Sequence, residues 1–417
     1  MGRPKYARLR HAGRIHAARR PVRCTPLAPA RPPVYASAGT VLLDTARPDA
    51  DNRRSLAFTR PRRVLATRAP GEVAGLLREA EAELRAGRYV AGLLTYEAGV
   101  ALAGLPIHVP DAVPLVWLGV YDAPADAPEM PALPVRIGAV RAGWSEAAYT
   151  ERHEAVREFI REGDVYQVNL TFPLRFAVDG PSERMGCALY AALRARQPVA
   201  FGAYLDLGDG VEVVSLSPEL FFRTDGARIV TKPMKGTVRR GATAAEDDRL
   251  RAGLAADEKN RAENLMIVDL LRNDLAVVCE PGSVRVPALF ETEAHPTLLQ
   301  MTSTVEGTLR ADVGFADVLA ALFPSGSITG APKRRAMERI AALETGPRGA
   351  YCGAIGYAGP NGAGGFEAVF SVAIRTVTLA GGVGTMGVGS GVVWDSRPAD
   401  EYRECGLKAR FLTDLAR

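Results

Sequence analysis

The stretch GGVGTMGVGSGVVWDSRPADEYRECGLKARF, residues 381–411, decides the fold class. Gly382, Gly384 and Gly387 satisfy the spacing G-x-G-x-x-G, which in a doubly wound α/β fold opens a helix under a pyrophosphate. Here the glycines run into 388–394, a Val- and Gly-rich segment that reads as a strand, so the dinucleotide fingerprint is excluded. Gly387, Gly389 and Gly391 alternate along it, as where another group comes close to the backbone. Ser396 as N-cap and Pro398 in the first turn then start a helix over 398–415. Glu401, Glu404 and Lys408 fall at i, i+3 and i+7, on one face of it.

Outward from this stretch, further strands are predicted at 211–216, 229–231 and 366–376, and helices at 257–278 and 333–343. Ser145 caps a helix that carries Val156, Phe159 and Ile160 in a stripe and stops at Gly163. In the next segment Val168, Leu170, Phe172, Leu174 and Phe176 point one way, and Gln167, Asn169 and Thr171 the other. Runs of strands closed by long helices, with no steady alternation, predict an α+β fold. Residues 35–140 form an N-terminal region with a helix at 72–86, a strand at 89–96 and a proline-rich linker or edge excursion at 121–135. Residues 141–417 form the second region.

Composition narrows the function classes. With 417 residues, 47% hydrophobic and 24% charged, the chain is long and apolar enough for real cores, and no 18-residue uncharged apolar run suggests a bilayer span. Cys24, Cys187, Cys279, Cys352 and Cys405 form no C-x-x-C pair, so neither a disulfide framework nor a zinc knuckle is indicated, and a reducing, cytoplasmic setting is expected. The net charge of +5 is uneven: residues 1–34 carry nine Lys or Arg and no acid, leaving 43 basic against 47 acidic residues elsewhere. That basic segment reads as a disordered extension outside the fold, with no nucleic acid and no membrane as partner.

Four local constellations could carry chemistry. In DEKNRAENLMIVDLLRNDL (257–275), Glu263 lies in line with Met266, Ile267 and Leu270, so a carboxylate sits on an apolar stripe, or pairs with Lys259 at i−4. If this helix meets the last one, Glu263, Glu401 and Glu404 form an acidic cluster. Two carboxylates about 4 Å apart repel by about 4 kcal/mol at an effective dielectric near 20, so such a cluster calls for a cation, and all-oxygen ligation suits Mg²⁺. GSITGAPK (326–333) lacks the Walker spacing but offers hydroxyls and free amides at a turn leading into a helix, an anion cradle. Lys235 in TKPMKGT follows a strand and precedes Gly236. A free lysine is only about 0.1% neutral at pH 7.4, so a nucleophilic role needs its pKa lowered.

Together with VLLDTARPDADNRRS (41–55), YQVNLT (166–171), SLSPELFF (215–222), GAIGY (353–357) and AIRT (373–376), these blocks resemble the chorismate-utilising enzymes, specifically the component I branch of aminodeoxychorismate synthases. The resemblance spans nearly all of 35–417. It implies two orthogonally packed, mainly antiparallel β-sheets flanked by helices. It further implies that Glu263 and Glu404, with Glu401 close by, bind Mg²⁺, which grips the ring carboxylate of chorismate. Tyr357, Arg375 and the amides of Gly389, Ser390 and Gly391 would hold the enolpyruvyl carboxylate, with Lys408 and the catalytic candidate Thr329 nearby. Arg suits bidentate binding of a carboxylate.

Similar anthranilate synthases carry Ala where this chain has Lys235. The resemblance therefore implies that Lys235 attacks ring C2 and expels the C4 hydroxyl, after which ammonia enters at C4 and displaces the lysine. Gln167 stands where isochorismate-forming relatives have a water-activating lysine, and an amide is no base. Gln300 stands where many relatives have a histidine. None of His11, His16, His108, His153 or His295 is an obvious substitute, so the donor of a proton to the leaving hydroxide is open. No cysteine lies in a G-x-C-x-G, so ammonia is expected from a separate glutamine amidotransferase. The alternatives are an anthranilate synthase component I and a non-catalytic binding protein, against which stands the full set Lys235, Glu263, Arg375, Glu401, Glu404 and Lys408.

Overall fold

Alternating apolar residues make Gln167–Asp179 the longest strand, and it pairs antiparallel with Val383–Val392 along ten residues, Val392 against Val168 through Val383 against Ala177. Glycine-rich Val383–Val392 is thus a central strand. The computed structural model describes residues 37–49, 52–130, 132–181, 184–294, 298–362 and 364–416. The extension expected over 1–34, and with it His11, His16 and Cys24, lies outside them, as does His295.

Among the described residues two large antiparallel sheets form. The first, of eleven strands, runs Gly330–Ala331, Gln167–Asp179, Val383–Val392, Thr376–Ala380, Val211–Ser217, Phe201–Gly208, Val41–Asp44, Leu56–Phe58, Ala125–Asp126, with two short strands against Gln167–Asp179. The second, of ten, runs Met234–Arg239, Leu298–Thr308, Arg228–Lys232, Leu220–Asp225, Phe366–Val372, Ala354–Pro360, Tyr89–Leu94, Val116–Tyr121, Arg63–Thr67, with Arg285–Ala294 on Leu298–Thr308. This is the α+β fold read from the pattern. The main core joins both sheets, with Leu170, Phe172 and Val388 of the first and Phe222, Val305 and Phe370 of the second.

The N-terminal strands do not stand apart. Val41–Asp44 pairs with Phe201–Gly208 and Tyr89–Leu94 with Ala354–Pro360, so the regions divided at 140 interleave within one unit spanning Val34–Arg417. The proline-rich stretch is an edge excursion: Ala125–Asp126 adds to Leu56–Phe58. Both faces of Gln167–Asp179 are buried near its start, Gln167, Asn169 and Thr171 included, so the expected polar face meets protein and not water.

The helices that matter for the site begin where short-range chemistry sets them. Asp257 accepts the Asn260 amide at 2.8 Å and starts Glu258–Ala276, a cap worth about 1 kcal/mol. Ser145 accepts from Ala148 N and starts Glu146–Arg161. One cap is corrected. Arg397, without a side-chain bond, is the N-cap of Pro398–Lys408, because the Ser396 hydroxyl is taken up by the Val393 amide at 3.1 Å. That helix also ends at Lys408 and not at 415, with a separate turn at Arg410–Thr413. It is anchored by Tyr402, whose ring stacks on Phe172 at 5.6 Å and whose hydroxyl donates to Trp144 O at 3.0 Å. No described helix is long and apolar enough to cross a membrane. The four described cysteines are free and buried.

Candidate active site

A cavity of about 1310 Å³ is walled by residues of Met234–Arg239, Glu258–Ala276, Val383–Val392 and Pro398–Lys408. Helix periodicity brings Glu263 to it from one helix, and Glu401, Glu404 and Lys408 from the other. The three carboxylates therefore line one cavity, with lysines among them. Lys259 Nζ lies 3.8 Å from Glu263 Oε1 and 3.4 Å from Glu401 Oε1, and Lys408 Nζ lies 2.7 Å from Glu404 Oε1. Lys408 also donates to Gly389 O at 2.9 Å, tying helix to strand.

Burial pushes the Glu263 carboxyl above its usual pKa against the pull of Lys235 and Lys259. Burial works against the Glu404 carboxylate too, but Lys408, Lys235 and Lys259 outweigh it and its pKa falls below the usual range. Among the described residues no three His, Cys, Asp or Glu side chains stand together as a ready metal-ligand set; Lys259 bridges Glu263 and Glu401, and Lys408 pairs with Glu404. The donor chemistry nevertheless fits a hard cation: three carboxylates from two helices, two of them already sharing one positive charge.

Across the cavity Arg375 adopts a left-handed backbone, φ 52°, between Phe366–Val372 and Thr376–Ala380. Burial draws its pKa down to about 10, and no carboxylate opposes that fall. A guanidinium held this way is stabilised by an anionic ligand. The glycine strand forms the floor. A Cβ at Gly387 would run into the Tyr351 ring. One at Gly391 would strike Gln167 Nε2 and lie 3.2 Å from Lys235 Nζ, so only glycine leaves room there.

Lys235 sits on a bulge. The pairing of Met234–Arg239 with Leu298–Thr308 slips between Met234 and Thr237, and Gly236 has φ 77°. Bulges re-aim side chains, and this one points the amine to the cavity. The Gln167 amide beside it is wholly buried, and neither its nitrogen nor its oxygen has a partner.

Glu219, beyond Pro218 in the SLSPELFF block, also lines the cavity. Burial lifts its pKa to about 7, moderated by the Ser327 hydroxyl and by the charges of Lys235 and Lys408. A carboxyl half-protonated near neutrality can give a proton up or take one. Its signal in the sequence was an acid inside an apolar strand block, but only packing reveals the burial.

Three residues expected at the site are not brought to the cavity wall. Thr329 is fully buried and donates to Ser325 O at 3.0 Å, leaving Ser327 to face the cavity. The Ser390 side chain points to the other side of its strand, hydrogen-bonded to Tyr149 OH at 2.8 Å, because neighbours on a strand alternate, so any part it plays falls to its backbone amide. Tyr357 packs on Phe58, ring centres 5.6 Å apart, in the second core cluster, and it is Tyr351 that lines the cavity. Lys235, Glu263, Arg375, Gly389, Gly391, Glu401, Glu404 and Lys408 all line the cavity.

Comparison with known proteins identifies the family and the fold. The chorismate binding enzyme family matches residues 43–414. The chain is 48% identical over 264 residues to an aminodeoxychorismate synthase of Streptomyces pristinaespiralis, covering 63% of this chain and 35% of that one. It is 42% identical over 279 residues to anthranilate synthase component 1 of Streptomyces coelicolor, covering 66% and 53%. The chain thus matches about a third to a half of the length of these curated relatives. Among solved structures, anthranilate synthase component I from Streptococcus pneumoniae superposes with TM-score 0.73 at 23% identity over 96% of both chains. MenF, the menaquinone-specific isochorismate synthase from Escherichia coli, does so with TM-score 0.72 at 18% identity over 92% and 90%. These two show the fold. The match over residues 43–414, nearly the whole described chain, places this protein in the family of chorismate-binding enzymes.

Proposed function

We propose that this chorismate-utilising enzyme aminates its substrate at C4, giving 4-amino-4-deoxychorismate, as the synthase component of p-aminobenzoate formation. The observation that carries the reading is Lys235, an amine on a bulge at a cavity that Glu263, Glu401, Glu404 and Arg375 also line. Arg375 binds one carboxylate of the dianion. Glu263, Glu401 and Glu404 would hold Mg²⁺, which when bound supplies the positive charge the second carboxylate needs.

The Lys235 amine, having given up a proton to solvent, forms a bond to ring C2, the ring double bonds shift, and the C4–O bond breaks. Glu219 delivers the proton that lets hydroxide leave as water. Ammonia then bonds to C4, the double bonds shift back, and the C2–N bond to Lys235 breaks. Gln167 lacks the basicity to activate water, which favours ammonia over water addition. Ammonia comes from a separate glutamine amidotransferase or from solution.

With ammonium, Mg²⁺ and chorismate, p-aminobenzoate should appear only after a lyase is added; direct release of anthranilate would establish the anthranilate synthase alternative. Lys235→Ala should abolish C4 amination or divert it to C2, and an unchanged product at an unchanged rate would remove the covalent role.

A further inference from the structure

We infer that Gln300 is a positioning residue for Lys235, the latch that holds the bulge on which the nucleophile stands. This rests on the reading of Lys235 given above. Where Met234–Arg239 slips against Leu298–Thr308, the regular ladder between Met234 and Thr237 is interrupted. A bulge frees backbone groups, and a freed carbonyl shielded from water needs a donor elsewhere; Gly236 is half-buried. Gln300 supplies it: Nε2 donates to Gly236 O at 2.8 Å, and Oε1 accepts from Thr237 Oγ1 at 3.0 Å.

One side chain thus bonds the two residues that follow Lys235, one through its backbone and one through its side chain. Gln300 is itself buried, lies in the cavity wall and is paired directly with Thr237 across the ladder. Gly236 cannot be replaced cheaply, since its φ is 77° and a Cβ there would stand 2.8 Å from Asn260 Oδ1. The bulge is therefore shaped by glycine and fastened by the amide. With both ends committed, Gln300 does not shuttle protons; it orients. A side chain at this position must donate at one end and accept at the other, which glutamine does and a neutral imidazole also does. That accounts, in terms of hydrogen bonding, for how glutamine can stand where similar enzymes have histidine.

The test uses the full chain with Gln300→Met, which keeps length and removes both bonds, and Gln300→His, which restores one donor and one acceptor. Kinetics with ammonium and chorismate should show kcat of Gln300→Met lowered by roughly tenfold to a hundredfold, as for a nucleophile displaced by about 1 Å. KM for chorismate should stay within about threefold, and Gln300→His should recover most of the loss. A second readout does not depend on turnover: trace labelling with acetic anhydride, followed by peptide mass spectrometry, compares the reactivity of Lys235 with that of the other lysines. The Met variant should shift the rate at Lys235 alone by at least about threefold, and the His variant should return it. Equal Lys235 labelling in wild type and Gln300→Met, or a kcat within twofold, overturns the latch. If instead Lys235→Ala retains C4 amination, it is the nucleophile reading that fails, while the labelling result still decides the latch.

Discussion

Replacing Glu219 by glutamine separates its catalytic part from its cost to the fold. Its pKa is about 7 in the folded protein against an ordinary 4.5, chiefly because burial disfavours the charged form. At about 1.4 kcal/mol for each tenfold change in proton affinity, the gap amounts to about 3 kcal/mol. The sign follows from proton counts. Between pH 4.5 and 7 the folded chain holds more protons than the unfolded one, so stability contributed by this group falls as pH rises through that window and is level above it. Glutamine carries no charge at any pH and escapes the loss. Glu219→Gln should therefore match wild type in urea midpoint at pH 4.5 and unfold at a midpoint higher by the order of 1 M at pH 8. Glu97, also lifted to about 7 by burial, contributes equally to both proteins and cancels in the difference. In the amination assay the variant should lose roughly 10²- to 10⁴-fold in kcat, the usual worth of a positioned acid. A midpoint difference that is the same at both pH values, or a variant less stable at pH 8, would refute the buried-acid argument.

Two further outcomes follow from charges in other settings. Arg375→Met should raise KM for chorismate roughly 10- to 100-fold, the equivalent of one or two hydrogen bonds to a charged group, while its thermal midpoint in the absence of substrate should not fall, since an unpaired buried cation is removed; a fall in the midpoint with KM intact would make Arg375 structural. Arg348 is buried, paired with Glu344 at 2.7 Å and bonded to Ile328 O at 2.8 Å and Asn169 O at 2.7 Å, so Arg348→Met should cost about 3–5 kcal/mol by denaturant titration, and a loss under 1 kcal/mol would contradict the role given to the pair.

What could be read from the chain alone was whatever depends on near neighbours. The Val- and Gly-rich run after Gly387 had to be a strand whatever packed on it, and Asp257 and Ser145 had to cap the helices that follow them. The spacing of Glu401, Glu404 and Lys408 put them on one helix face, and they share the cavity. Lys259, which the i−4 spacing offered as a partner for Glu263, is bonded to Glu401 as well, a contact between helices that no spacing contains.

Tertiary structure alone decided which way side chains point at turns and bulges and how deeply they are buried. Thr329 and Ser327 stand two residues apart in one turn, and Tyr351 and Tyr357 flank one strand start, yet in each pair a single member faces the cavity. Glu219 is an ordinary acid in sequence, and only its burial in the fold lifts its pKa to about 7. Gln300 gains its meaning from a register slip on another strand. Periodicity is a property of local backbone geometry and survives any packing, whereas the burial that shifts a carboxyl's pKa and the bonds that fasten a bulge come from residues remote in the chain, as Gln300 is 63 positions from Thr237.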